Sequence, residues 1–487
     1  MRFLPIACIA VLIAIAFAFS ENKKKVDWKL VGAGVVIQVI FAFLILKTGP
    51  GKAVFEFLSG IVTALLNYTG KGASFVFGDL VAPDCFKKGL GYIFAFNVLP
   101  TIVFFSSFMA ILYHLGIMQK VILVIAWIMQ RTLKTSGAES LSASANIFVG
   151  QTEAPLVVKP YIEKMTRSEI MCVMTGGMAT VAGGVMASYV GMLQKHIPTI
   201  AGHLMAASVM AAPVAMVFSK ILVPETEVPE TSGKMEFKSE SIDSSVIDAC
   251  SRGCSEGMGL AINVAAMLIG FTAMIALLND CWGWFAKLIG LTQAATLQDL
   301  LGYILYPITF LLGIRPEDRI IAGGLIGEKT ILNEFVAYTD LATKYVGPNS
   351  PIEEKTQIIL SYALCGFANF SSIGIQIAGI GGLAPKRRSE IASLALKALL
   401  AATLTCFFTA SMASIMFEPK PVEPVSPTAS ISQPAAPAPV TPAPAPAETS
   451  VQAPAETPAP VVAPAPAEAP APVETPAPVE TPAPASN

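Results

Sequence analysis

Charge is what this sequence has least of. Only 14% of its 487 residues are Asp, Glu, Lys or Arg, while 54% are hydrophobic, a balance that excludes a soluble core protein over most of the length. The charges sum to a net of -2. No Lys/Arg stripe with interleaved aromatics marks a nucleic-acid partner. Cysteine is sparse and scattered, eight in all, with Cys8, Cys172, Cys365 and Cys406 inside apolar segments. Cys250 and Cys254 form one C-x3-C without a second Cys or His pair, which argues against a zinc site. These thiols read as small buried apolar groups.

What is present is a series of long apolar runs, and one of them is anomalous. The run from Ser140 to Ile162 carries Gly150-Gln151-Thr152-Glu153-Ala154-Pro155 at its middle. A carboxylate at bilayer depth is costly and faces a cavity or a partner. Backbone freed by Gly and Pro is tolerated there only where protein or a water-filled cavity covers it. The stretch is therefore expected to be a re-entrant hairpin whose tip holds a polar ligand near the midplane.

Taken in order, residues 1–50 hold two apolar spans. Positions 3–19 are apolar after Arg2, and Ala16-Phe17-Ala18 resembles a signal-peptidase site, so a cleaved signal peptide competes with a retained helix. Asn22-Lys23-Lys24-Lys25 precedes a second span at 30–46, which places that loop in the cytoplasm and the N-terminus outside. Residues 51–138 contain an expected interfacial helix at 53–67 and a span at 92–118, followed by Lys120, Arg131 and Lys134. Residues 139–222 read as the hairpin, a span at 168–193 broken at Thr175-Gly176-Gly177 and Gly183-Gly184, and a full span at 201–222.

Residues 223–257 are charged and lack a periodic apolar face, as a cytoplasmic linker would. Residues 258–318 hold a span at 258–278 and an interfacial stretch, Cys281 to Leu312, with Trp282 and Trp284 at its start. Residues 319–417 repeat the earlier order. A second hairpin runs to Leu341, interrupted by Gly323-Gly324, Glu328-Lys329 and Asn333-Glu334. A span at 356–380 is broken from Gly366 to Ser372, and the last span covers 391–417 after a cytoplasmic Lys386-Arg387-Arg388. The expected fold is thus an all-α polytopic membrane protein. It has about eight transmembrane helices and two re-entrant hairpins in an inverted repeat, with interfacial helices, a pattern typical of secondary transporters. Residues 418–487 are Pro and Ala with spaced Glu, and should form a disordered, extended spacer outside the cytoplasm.

The sequence Ser140-Leu141-Ser142-Ala143-Ser144-Ala145-Asn146-Ile147-Phe148-Val149, leading into Gly-Gln-Thr-Glu-Ala-Pro, resembles the first hairpin of concentrative nucleoside transporters. The similarity extends to Phe94–Thr101, Asn263–Ile269, Asn333-Glu334-Phe335-Val336-Ala337-Tyr338 and Gly366–Gly374, in order, over roughly residues 90–415. The resemblance implies an integral inner-membrane homotrimer in contact with lipid, and elevator-like movement of the substrate-carrying part. It also implies import of purine and/or pyrimidine nucleosides. By position, Gln151, Thr152 and Glu153 would face the nucleobase with Val185 nearby. Glu334, Asn369 and Ser372 would hold the ribose, and Phe367 would pack beside it. Asn146, Val149, Thr180 and Val181 would bind the co-transported sodium ion, with no organic cofactor. Gly150 leans toward purine or broad use. One cation crossing about 100 mV releases about 2.3 kcal/mol, and a roughly tenfold gradient adds about 1.4 kcal/mol. Together these support about 500-fold accumulation.

Other readings remain open at this point. Proton coupling is the alternative to sodium, though proton-coupled relatives tend to lack the Asn. An intramembrane enzyme could use Glu153 and Glu334 as an acid-base pair, but no nucleophile or metal set accompanies them, so a transporter and not an enzyme is expected. The two carboxylates could instead be neutralised by Lys159 and Lys329. Asn369 and Ser372 could mend a kinked helix. His196 and His203 read as residues of an external loop, and His114 as a buried residue or a proton carrier.

Overall fold

A computed structural model describes residues 3–81, 93–233, 243–288, 290, 296–347 and 350–417. The Pro/Ala-rich tail and the middle of the linker lie outside these residues. The described elements are helical, without a strand among them. In order they are Leu4–Ala18 (α1), Trp28–Lys47 (α2), Gly49–Phe77 (α3), Phe94–Asn97 (α4), Leu99–His114 (α5), Ile117–Leu133 (α6) and Gly137–Ala145 (α7). There follow Ala154–Val157 (α8), Lys159–Ile162 (α9), Arg167–Ala179 (α10), Gly183–Leu193 (α11), Ile200–Leu222 (α12) and Val246–Leu288 (α13). The last are Leu297–Leu311 (α14), Arg319–Ile331 (α15), Glu334–Asp340 (α16), Glu354–Ala363 (α17), Phe370–Leu383 (α18) and Arg388–Met416 (α19).

Among the described residues six helical stretches are long and apolar enough to cross a membrane: 28–47, 94–114, 167–193, 200–222, 246–288 and 385–416. Two further spans expected from the sequence are shorter pieces. α1 has only 15 residues, and the run from 354 to 383 is split into α17 and α18.

The core is centred on α12. Almost all of its residues are buried, including Ser219 and Lys220, as befits a helix that is apolar on every side. α10, α17 and α19 pack around it. α1 joins them through Cys8, Leu12 and Ala16, one stripe at four-residue spacing and wholly buried. The turn between α1 and α2 is pinned by Glu21. Its N–H donates to the Leu222 carbonyl at 2.9 Å, and its carboxylate takes Arg167 at 2.9 Å and Lys397 at 2.6 Å. The Arg167 guanidinium holds that carboxyl down to about 2.

α13 behaves in the opposite way. It buries one stripe, Ala249, Gly253, Gly257, Ala261 and Val264, and leaves Ile262, Ile269 and Leu277 exposed. The stripe lies against α5 so closely that a Cβ on Gly253 would stand 2.6 Å from Ser107 Cα, and one on Gly257 2.7 Å from Val103 Cα. Small residues four apart let two helix backbones approach where no hydrophobic effect drives them together. Cys250 sits on this seam as a partner of Ser107, whose hydroxyl donates to its carbonyl at 3.1 Å.

Several expectations need correcting. The linker ends sooner than 257, because α13 begins at Val246 and runs unbroken to Leu288, absorbing the first part of the stretch expected to be interfacial. The helix expected at 53–67 extends over all of α3, and α6, an amphipathic helix, was not anticipated. Gly323 and Gly324 do not interrupt the second hairpin. They lie inside α15, where a Cβ would meet the Gly302 carbonyl oxygen at 2.8 Å or the Gln298 carbonyl oxygen at 2.9 Å on α14. Their smallness serves packing, and the helix stops only at Leu332–Asn333. Glu328 and Lys329 are likewise helical and buried. His203 is not in a loop; it is buried on α12 with its Nδ1 3.1 Å from the Tyr362 hydroxyl.

Replacing Gly257 with Leu should overpack the α5–α13 seam and cost about 1–3 kcal/mol, seen as a lower thermal midpoint in detergent. Gly259→Leu, on the same helix but with open space around it, should leave the midpoint unchanged.

Candidate functional site

Both interrupted regions owe their shape to local capping. α7 starts with a capping box in which Ser136 accepts from the Glu139 N–H and the Glu139 carboxylate accepts from the Ser136 N–H. α10 repeats the device with Thr166 and Glu169. The Ser136 hydroxyl donates to the Glu169 carboxylate at 2.5 Å, tying the foot of the first hairpin to the foot of the next helix. Lys220 of α12 neutralises the buried Glu139 at 2.8 Å. At the other end of α7 the chain turns through 146–153, and Pro155 and Pro160 restart it as two short helices, α8 and α9. In the second hairpin Asn333 caps α16 by accepting from the Val336 N–H at 2.9 Å.

The two broken helices meet where they unwind. α10 ends at Ala179, and α11 resumes at Gly183. α17 ends at Ala363, and α18 resumes at Phe370. The Phe367 N–H donates to the Thr180 carbonyl at 3.2 Å, and the Gly183 N–H to the Phe148 carbonyl at 3.0 Å on the first hairpin. Gly366 makes this contact possible: its φ is +112°, and a Cβ there would lie 2.6 Å from the Ala179 carbonyl oxygen.

A continuous polar chain crosses this junction. The buried Glu334 carboxylate accepts from the Tyr189 hydroxyl at 3.1 Å and from Asn369 Nδ2 at 2.7 Å. Asn369 Oδ1 accepts from the Ser372 N–H at 2.9 Å and caps α18. Gln151 Nε2 at the first hairpin's tip donates to Ser372 Oγ at 3.0 Å, and Gln376 Nε2 donates to Gln151 Oε1 at 3.2 Å. The network therefore joins both hairpins to both broken helices, presenting a carboxylate, amides and a hydroxyl together. A carboxylate with an amide beside it can accept from and donate to vicinal hydroxyls.

Four of the substrate residues expected from the sequence, Gln151, Glu334, Asn369 and Ser372, are thus bonded into one set. Thr152 and Glu153 are exposed at the hairpin tip. Thr152 faces α18, where a Cβ on Gly379 would lie 3.4 Å from its Cγ2, and the Glu153 carboxylate accepts from the Gly150 N–H at 3.3 Å. Phe367 is half-buried beside the junction, and Val185 is buried on α11 without a polar partner to place it. Lys329 donates instead to the Ala363 carbonyl at 2.9 Å. Tyr189 and Gln376 complete the chain and went unread in the sequence. The signal for Gln376 was its place as a lone amide in the apolar run 373–383.

A second cluster lies beside Gly176. Asn146 is fully buried, and neither end of its amide has a hydrogen-bond partner among the described residues. A Cβ on Gly176 would lie 3.1 Å from its Nδ2, and the Gly176 carbonyl accepts from Thr180 Oγ1 at 2.9 Å. Val149 and Val181 are buried on the two flanking segments. An orphaned buried amide costs about 1–3 kcal/mol. Side-chain oxygens and unwound carbonyls form the donor set that suits a hard cation.

Three family models cover most of the chain: sodium-dependent nucleoside transporter N-terminus at residues 7–80, nucleoside recognition at 95–195, and sodium-dependent nucleoside transporter C-terminus at 203–414. The chain is 46% identical over 406 residues to an uncharacterized transporter of Bacillus subtilis, covering 83% of this chain and 96% of that protein. It is 39% identical over 429 residues to sodium/nucleoside cotransporter 1 of Mus musculus, covering 86% of this chain and 64% of that protein. The fold matches CNTnw in an inward-facing substrate-bound state with a TM-score of 0.79 and 41% identity, covering 85% of this chain and 98% of that one. A variant of CNTnw in an outward-facing state matches with the same TM-score of 0.79.

Tyr189→Phe removes one of the two side-chain donors to Glu334 named above without altering the ring. It should cost about 1–3 kcal/mol of stability in ligand-free protein, read as a lower thermal midpoint; an unchanged midpoint would show that the bond contributes nothing net.

Proposed function

Because the chain belongs to the sodium-dependent, concentrative nucleoside transporter family, we propose that it imports nucleosides by sodium symport with elevator-type alternating access. The observation that carries this reading is the polar chain from Tyr189 through Glu334, Asn369 and Ser372 to Gln151. It lies where two hairpins and two broken helices converge, as expected of a midplane site in a secondary transporter. In this reading Glu334, Asn369 and Ser372 bind the ribose, with Phe367 packed beside it. Gln151, Thr152, Glu153 and Val185 address the base. A site built to bond hydroxyls rejects analogues that lack them, since its own polar groups would be left unpaired.

Sodium binds at Asn146, Val149, Thr180 and Val181, and supplies the missing partner of the Asn146 amide oxygen. Gly176 lies beside Asn146, and the next residue, Gly177, lies beside Gln151. The two ligands would thus share one turn of α10, which gives each a direct means of ordering the other's site. The exposed apolar face of α13 would meet lipid and two further copies in a homotrimer. The protein resides in the inner membrane, with the Pro/Ala-rich tail outside the cytoplasm.

The test is uptake of labelled uridine and adenosine into proteoliposomes with an inward sodium gradient, repeated with choline at fixed pH. Uptake is expected only with sodium. Asn146→Leu should abolish that dependence, and should remove the rise in thermal midpoint that sodium gives the parent protein. Sodium-independent uptake collapsed by a protonophore would replace the sodium reading with proton coupling.

A further inference from the structure

Gln376 lies on α18, wholly buried, six residues past the start of that helix. Its Nε2 donates both to the Met174 backbone carbonyl at 3.0 Å and to Gln151 Oε1 at 3.2 Å. The Met174 carbonyl can only accept, so it dictates which end of the Gln376 amide faces it. The second hydrogen of that same NH2 group then dictates which end of Gln151 faces Gln376. Turning the Gln376 amide over would set acceptor against acceptor, and turning the Gln151 amide over would set donor against donor, in a buried space and at the cost of these bonds. With its oxygen engaged, Gln151 presents its own NH2 group to Ser372 Oγ at 3.0 Å and to whatever ligand lies beside it. Space for this arrangement is supplied by Gly177, where a Cβ would stand 2.7 Å from Gln376 Nε2 and 3.0 Å from Gln151 Cβ.

We propose that Gln376 is a positioning residue that sets base selectivity by fixing the Gln151 amide in its donor-outward orientation, with the Met174 carbonyl as the anchor. The proposal rests on the reading above that Gln151 faces the nucleobase. A fixed donor discriminates bases by the polarity of their edges. Uridine and cytidine have nearly the same shape but present opposite donor and acceptor patterns, as do inosine and adenosine. Gln376 does not need to touch the base. It acts by denying Gln151 the flipped orientation, in which an acceptor would face outward and the preference would reverse.

The experiment compares uptake efficiency for uridine against cytidine, and for inosine against adenosine, in the full chain reconstituted in proteoliposomes. Gln376→Met keeps the volume and removes the amide. It is expected to shift both ratios by about fivefold to tenfold, the equivalent of one buried hydrogen bond, in the direction of weaker discrimination. In a Gln151→Ala background the same change should move neither ratio further. Gly177→Ala displaces the amide pair with Gln376 intact, and should shift the ratios in the same direction; it carries the test if the Met variant does not fold. Ratios that stay at the parent value while overall uptake falls would show a merely structural role and overturn the inference. An equal shift with Gln151 already removed would also overturn it. A parent chain that transports no nucleoside overturns the underlying reading as well, so the two failures are distinguishable.

Discussion

Backbone that leaves a helix inside an apolar protein must find partners there, and this constraint governs the molecule's centre. α10 and α17 both stop in mid-span, and each unwound segment satisfies part of the other. The Thr180 carbonyl takes the Phe367 N–H at 3.2 Å, while the Phe148 carbonyl on the first hairpin takes the Gly183 N–H at 3.0 Å. The crossing is close enough that only glycine fits at position 366. Once the two breaks lie together, the helices that restart beyond them are held on either side of one small region. Gln151, Ser372, Asn369, Glu334 and Tyr189 meet in that region. The site is a consequence of satisfying unwound backbone at depth, not a separate addition to a finished bundle.

In the proposed reading, the same geometry would let two chemically different ligands sense one another. α10 passes between the clusters, with Gly176 against the Asn146 amide and Gly177 against Gln151 and Gln376. An ion held by Asn146 and Thr180 would also order the end of α10, and hence the floor under Gln151. Outside this centre the chain supplies rigidity of other kinds. Buried charge compensation between Lys220 and Glu139 secures the hairpin's foot. Small-residue seams hold α5 against α13 and α14 against α15.

Much of this was legible in the sequence because the anomalies are strong. A Glu and an Asn-Glu pair inside long apolar runs have few explanations other than a lined site, and the flanking Gly and Pro locate the breaks to within a few residues. The glycines themselves were ambiguous. Gly323 and Gly324 read as helix breakers, yet they are contact surfaces, because smallness serves close packing as well as bending. The true break of α10 falls at Thr180–Ala182, between the two glycine pairs that suggested it. The residues missed, Tyr189 and Gln376, gain their roles only from partners more than 140 positions away. Local pattern carries no trace of such pairings. His203 was misplaced because hydropathy alone put the start of α12 at the boundary, whereas packing against Tyr362 draws it inside.

The central claim, that one junction of broken helices binds a nucleoside and a sodium ion that stabilise each other, is tested most directly by calorimetric titration of purified protein. Uridine and adenosine would be titrated at fixed pH and ionic strength, first in sodium chloride and then in choline chloride. Nucleoside affinity is expected to be at least about tenfold higher with sodium, a coupling of about 1.4 kcal/mol or more, with an equal gain in sodium affinity when nucleoside is present. Affinity identical in the two salts, or no nucleoside binding in either, would contradict the claim.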